Sequence, residues 1–229
     1  MRTTGKYFWR VLDQNENEDP DPDPDFHGLF GVLQSALRDV QVEMQCRYCK
    51  FSAQHQDNLD SHTRGLLKMY RAKANQGKGR EMEALLENLD CQTTNLTAHR
   101  RCTVLRGLPL YMREEPSISK TLLDTEALED HTKNVKIGIF EVVKGSAEPS
   151  RSHTSVVNVA VVLEEEVVMA NLPDYTNAFI LLFGLLYALN IEYTKDLKYT
   201  FEVVQKVFLH LGNECTARVQ SLKNKLSHI

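Results

Sequence analysis

Cys46 and Cys49 form a CxxC pair, and His62 follows after twelve further residues. Two thiolates and an imidazole at that spacing are three of the four ligands of a two-cysteine, two-histidine zinc finger. In such a finger the cysteine knuckle and a helical histidine enclose a tetrahedral Zn²⁺. A second histidine belongs about three to five residues beyond the first, and positions 66–68 hold Leu66, Leu67 and Lys68. His55 precedes the helix expected to carry His62, and Cys91 and His99 lie in a separate segment. Three ligands and a water would make an open, catalytic type of site, but no carboxylate stands in metalloprotease spacing to His62. Residues 46–68 are therefore read as a degenerate finger of C2H2 type. Cys46, Cys49 and His62 are its metal-ligand candidates, and zinc is the one cofactor they suggest.

The other chemistry-bearing residues form no complete set. His99 and Cys102, with Cys91, are too few to hold a metal tightly and read as ordinary helix and loop residues. Basic residues gather at His99, Arg100 and Arg101, with Arg106 and Arg113 nearby, and again at Lys68, Arg71, Lys73, Lys78 and Arg80. Beside a finger remnant they could touch phosphates, making binding salt-dependent; a solvated helix surface accounts for them equally. The net charge of −4 argues against a globally basic nucleic-acid binder. No phosphate-binding glycine loop, GxSxG elbow or HExxH is present. Glu164, Glu165 and Glu166 fit a charged hairpin tip better than acid–base catalysis, and no catalytic residue is assigned.

The elements that position these residues follow from periodicity. Residues 13–25 carry acids at nearly every second position, with proline alternating at the end, which opposes helix and central strand alike, so residues 1–27 are expected to be disordered. Residues 28–106 read as a helical region: a short amphipathic helix over 29–40, helices over 59–71 and 80–90, and another from Asn95 to about Leu105, stopped by Gly107 and Pro109. Beyond residue 133 the period changes to two. Val135, Ile137 and Ile139 alternate with polar or small residues, residues 156–163 are rich in β-branched side chains, and 167–169 follow a turn at the glutamates. Asp174 then caps an apolar helix of about a dozen residues, too short for a membrane span of roughly 20. Amphipathic helices over 201–211, ended by Gly212, and 216–226 complete the chain. Residues 107–229 are thus expected to form an α+β domain, a small three-stranded sheet packed against three C-terminal helices, behind the helical N-terminal region.

Five scattered cysteines indicate a reducing compartment. The first ten residues carry no apolar run of the secretory kind. An intracellular chain is expected, with nucleus and cytoplasm both open.

Residues 107–114, Val135 to Ile139, Val161 to Glu165, Asn171 to Asp174, Leu182 to Asn190, Leu197 to Lys206 and Val219 to Leu226 form an ordered series. That series resembles a large family of mostly uncharacterised fish proteins, some labelled as similar to sterile alpha motif domain-containing protein 3. The resemblance implies N-terminal zinc fingers or other modules ahead of this region and spread by a mobile element. It supplies no activity or catalytic residue, and no sterile alpha motif is visible here. The expected function is a non-enzymatic protein-interaction module of unknown partner. The alternative is a zinc-dependent nucleic-acid-binding protein using Cys46, Cys49 and His62. A hydrolase, the third possibility, requires a deep pocket lined by convergent polar groups.

Overall fold

Leu59, Thr63, Leu66, Leu67, Tyr70 and Ala74 recur at helical spacing and share one buried stripe of the first helix, α1, residues 56–74. The computed structural model describes residues 56–74, 79–115, 118–145, 156–188, 191, 193–212 and 214–228. The chain divides into two units, Met1–Arg47 and Tyr48–Ile229, and every described residue belongs to the second. The acidic stretch 13–25, the helix expected over 29–40, and both Cys46 and Cys49 lie outside the described residues.

Helix α2, Arg80–Asp90, buries Met82, Leu86 and Leu89, and Glu81 and Glu83 in its first turn complement the helix dipole. Helix α3, Leu96–Met112, does not stop at Gly107 and Pro109 as the sequence suggests. Tertiary packing overrides the glycine. At Gly107 a Cβ would stand 2.5 Å from Cε2 of the Tyr70 ring, so the missing side chain makes room for α1. The Tyr70 hydroxyl donates to the Val104 carbonyl at 2.9 Å, tying α1 to α3. The boundary expected between residues 106 and 107 therefore falls inside a helix, and α1, α2 and α3 share one core cluster with the C-terminal helices.

The sheet has four strands, β1 Ser119–Leu123, β2 Ile137–Val143, β3 Val156–Leu163 and β4 Glu166–Met169, in the order β1-β2-β3-β4. The α+β class is as expected, with one strand more than the sequence revealed. The addition is β1, which pairs parallel to β2, while β2–β3 and β3–β4 are antiparallel. The β3–β4 hairpin turns at Glu164 and Glu165, both at positive φ (50° and 71°), with their amides bonded to the carbonyls of Lys136 and Val135 at 2.8 Å. Alternation sends Ile137, Ile139, Val159, Val161 and Leu163 into the helical core. Leu122, Phe140 and Val162 lie on the opposite face, packed by Leu128, Val135 and Val167.

Helix α4, Tyr175–Ala188, is capped as anticipated: the Asp174 carboxylate accepts the Asn177 amide at 2.8 Å. It is buried nearly all round, against α3, β2 and β3. The next helix is not one regular α-helix. It is α-helical over Lys198–Val203 (α5) and then π-helical over Val204–Phe208, with Leu209 N bonded to Val204 O at 3.0 Å. That widened turn lets Val204, Val207 and Phe208 all stay buried. Helix α6, Ala217–Leu226, buries Val219 and Leu222.

Two carboxylates act as caps at a distance. Glu114, just beyond α3, accepts the amides of Tyr199 and Thr200 at 2.6 and 2.8 Å and so covers the first turn of α5. Glu202 of α5 accepts the amide and hydroxyl of Thr216 at 2.6 and 2.9 Å at the start of α6. Arg218 closes the circuit by donating to the Met112 carbonyl at 2.9 Å. Among the described residues no helix is long and apolar enough to cross a membrane.

Candidate functional site

Of the three expected zinc ligands, only His62 is among the described residues. It sits half-buried on α1, its ring 5.6 Å from that of Phe208. Its Nδ1 lies 2.8 Å from the Asn58 carbonyl and 2.9 Å from Ser61 Oγ. Among the described residues no group of three or more His, Cys, Asp or Glu side chains is placed to hold a metal. Cys91, His99 and Cys102 accordingly form no such group: Cys91 is exposed, and Cys102 is engaged elsewhere.

The polar residues that the fold does bring together lie between α3, β1, β2 and α4. Alternation along β2 turns Glu141 toward the helices, between Ile139 and Val143. There it meets Arg106 of α3 in an ion pair. Arg106 Nε donates to Cys102 Sγ one turn earlier at 3.2 Å, and its guanidinium lies 4.2 Å from the Tyr175 ring centroid. The Tyr175 hydroxyl is 2.7 Å from Ser119 Oγ on β1. Four elements are thus joined through one guanidinium and one phenol.

Electrostatics decide what this cluster can do. Burial pushes the Cys102 thiol up, more strongly than the nearby Arg106 charge draws it down, so the thiol stays protonated and is a poor nucleophile at neutral pH. Burial likewise pushes the Tyr175 phenol up against the opposing pull of Arg106 and Ser119. Burial opposes the charge on Arg106, but Cys102, Glu141 and Tyr175 outweigh it and the guanidinium is held protonated. The arrangement is a charge-compensated clamp. A sequence signal for it exists: once β2 extends past Ile139, an acid at the inward position 141 requires a buried cation.

Four of the basic residues put forward for phosphate contact, Arg71, Lys73, Arg101 and Arg106, are already bonded to protein groups. Arg101 grips Asp60 with two donors and Gln56 with a third, and Arg71 pairs with Asp90 at 2.7 Å. Lys73 donates to the Leu110 and Tyr111 carbonyls at the end of α3. Lys68, Arg80 and Arg100 are exposed. A cleft of about 390 Å³ is lined by Lys73, Gly79, Arg80, Glu81, Met82, Leu110 and Glu114. Two of its charged groups, Lys73 and Glu114, are already bonded to main chain, so they do not converge on a vacant reaction centre. Compared with family models, with curated proteins and with solved structures, the chain matches none.

Proposed function

We propose that the chain is a non-enzymatic protein-interaction module, the resemblance adding only its spread by a mobile element. Its contact surface lies where β1 and β2 end and β3 begins. The observation that supports this reading is an apolar row across three strands: Leu123, Val143 and Val156 are cross-strand neighbours and share a face. Val143 is buried, whereas Leu123 is 46% and Val156 47% exposed, and Val157 in the adjoining bulge is 52% exposed. Exposed apolar side chains gathered at one place on a surface mark an interaction site. The test compares wild type with Leu123→Asp/Val156→Asp, checked for unchanged far-UV circular dichroism. A partner, or a second copy, that binds wild type stoichiometrically is lost in the variant. Equal recovery by both proteins refutes the reading.

A second reading, a zinc-dependent nucleic-acid-binding protein through Cys46, Cys49 and His62, draws support from the His62 ring. Metal-bound histidines commonly donate their other N–H to a carbonyl, and the Asn58 carbonyl stands 2.8 Å from Nδ1 here. Stoichiometric zinc, lost on Cys49→Ser, is its expected result. Metal-free folded protein without salt-sensitive nucleic-acid binding eliminates it.

A further inference from the structure

β1 ends the strand order, with no strand on its outer side among the described residues. The phase of its ladder is set by two bonds: Ile139 N donates to Ile118 O at 2.6 Å, and Asp124 N donates to Val143 O at 2.9 Å. In a parallel pair the bonding residues alternate, so Ile118, Lys120, Leu122 and Asp124 face β2. Ser119, Thr121 and Leu123 therefore direct their N–H and C=O groups outward. At Leu123 both are satisfied within the turn, the amide by Glu126 Oε2 at 2.7 Å and the carbonyl by the Glu126 amide at 3.0 Å. Outward main-chain groups at Ser119 and Thr121 have no protein partner among the described residues.

Exposed donors and acceptors repeating every second residue are matched only by another extended backbone. The charges beside this edge narrow the choice. Asp124, Glu126, Glu129 and Asp130 are exposed on the turn that follows β1, with Lys120, His131 and Lys133 as the cations among them. Charge of both signs is partly committed: His131 bridges Lys120 at 3.2 Å and Glu126 at 3.3 Å, and Asp124 accepts the Gly145 amide at 3.0 Å, which leaves Glu129 and Asp130 beside Lys133. We propose that the outer edge of β1 adds an extended, basic segment of a partner protein as a further strand, with Glu126 closing the site at Leu123. This rests on the reading of the chain as an interaction module and names its mode of contact.

The probe is a short blocked peptide alternating lysine with valine, titrated at low salt into the full chain labelled for amide NMR. Exchange at the Thr121 amide slows, and the peptide binds about tenfold more tightly than its glutamate–valine counterpart. Thr121→Pro removes one outward donor and no ladder bond, as edge positions tolerate, and weakens binding about tenfold. If that variant fails to fold, N-methylating alternate peptide amides makes the same cut with the protein unchanged. Undiminished binding to Thr121→Pro or by the methylated peptide, or no protection at Thr121, overturns the proposal. A natural partner kept by Thr121→Pro but lost by Leu123→Asp/Val156→Asp removes strand addition alone. One kept by both removes the module reading as well.

Discussion

Glu141→Leu and Arg106→Met each strand one charge of the same pair, and the two should not cost the same. The Arg106 side chain is 26% exposed and the Glu141 side chain 11%. Removing one member of a buried pair typically costs about 3–5 kcal/mol, because the survivor remains desolvated without its partner. In Glu141→Leu the survivor is the more exposed guanidinium, which also keeps the Tyr175 face, so the cost falls to about 2–3 kcal/mol. In Arg106→Met the survivor is the more buried carboxylate, and the cost is about 3–4 kcal/mol. The double variant leaves no orphan charge and returns to within about 1 kcal/mol of wild type. Urea unfolding followed by far-UV circular dichroism, fitted with a common slope, reads all four proteins. Single variants that each cost under about 1 kcal/mol, or a double variant whose loss equals the sum of the singles, would refute the clamp.

Alkali should unfold the protein cooperatively. Burial raises Cys102, Tyr70 and Tyr175 above their ordinary values of 9.0, 10.0 and 10.0. Their contribution is therefore full below those values and lost as pH climbs through the raised ones, while Lys73, lowered by burial and Arg113, works weakly in the other direction. Thermal midpoints measured upward from pH 8 should fall beyond about pH 9–10, and less steeply in Tyr175→Phe. Gly107→Ala should lose about 1–2 kcal/mol despite alanine's better helix propensity, because its Cβ meets the Tyr70 ring; an unchanged urea midpoint would mean that the ring moves aside. Glu164→Asn should gain about 0.5–1 kcal/mol, since asparagine tolerates the positive φ of that turn position, and an unchanged or lower midpoint counts against strain there.

What the sequence revealed, and what it hid, divides by the range of the causes. Asp174 announces α4 because a cap and its helix are neighbours in sequence, and the glutamate turn announces β3–β4 for the same reason. The end of α3 was not legible: Gly107 and Pro109 are local stop signals, and the Tyr70 ring that packs on Gly107 comes from 37 positions away, on α1. β1 is short, and its parallel partner is separated from it by a turn of 3₁₀-helix, Leu128–His131, so no hairpin signal betrays it. The Arg106–Glu141 clamp is legible only once β2 is known to run to Val143. The zinc candidates divide similarly: His62 is found on a helix, as its spacing implied, while Cys46 and Cys49 lie outside the described residues.

The remote caps also bear on the order of events at the ribosome. Glu114 must wait for Tyr199, 85 residues further along, before it has its amide partner, and Met112 waits 106 residues for Arg218. At translation rates of roughly 5–20 residues per second, the first interval lasts about 4–17 s. During that time the apolar faces of α1 and α3 have been synthesised while α5 and α6 have not. Until its last helices emerge, the nascent chain carries those faces without the partners that finally cap and cover them.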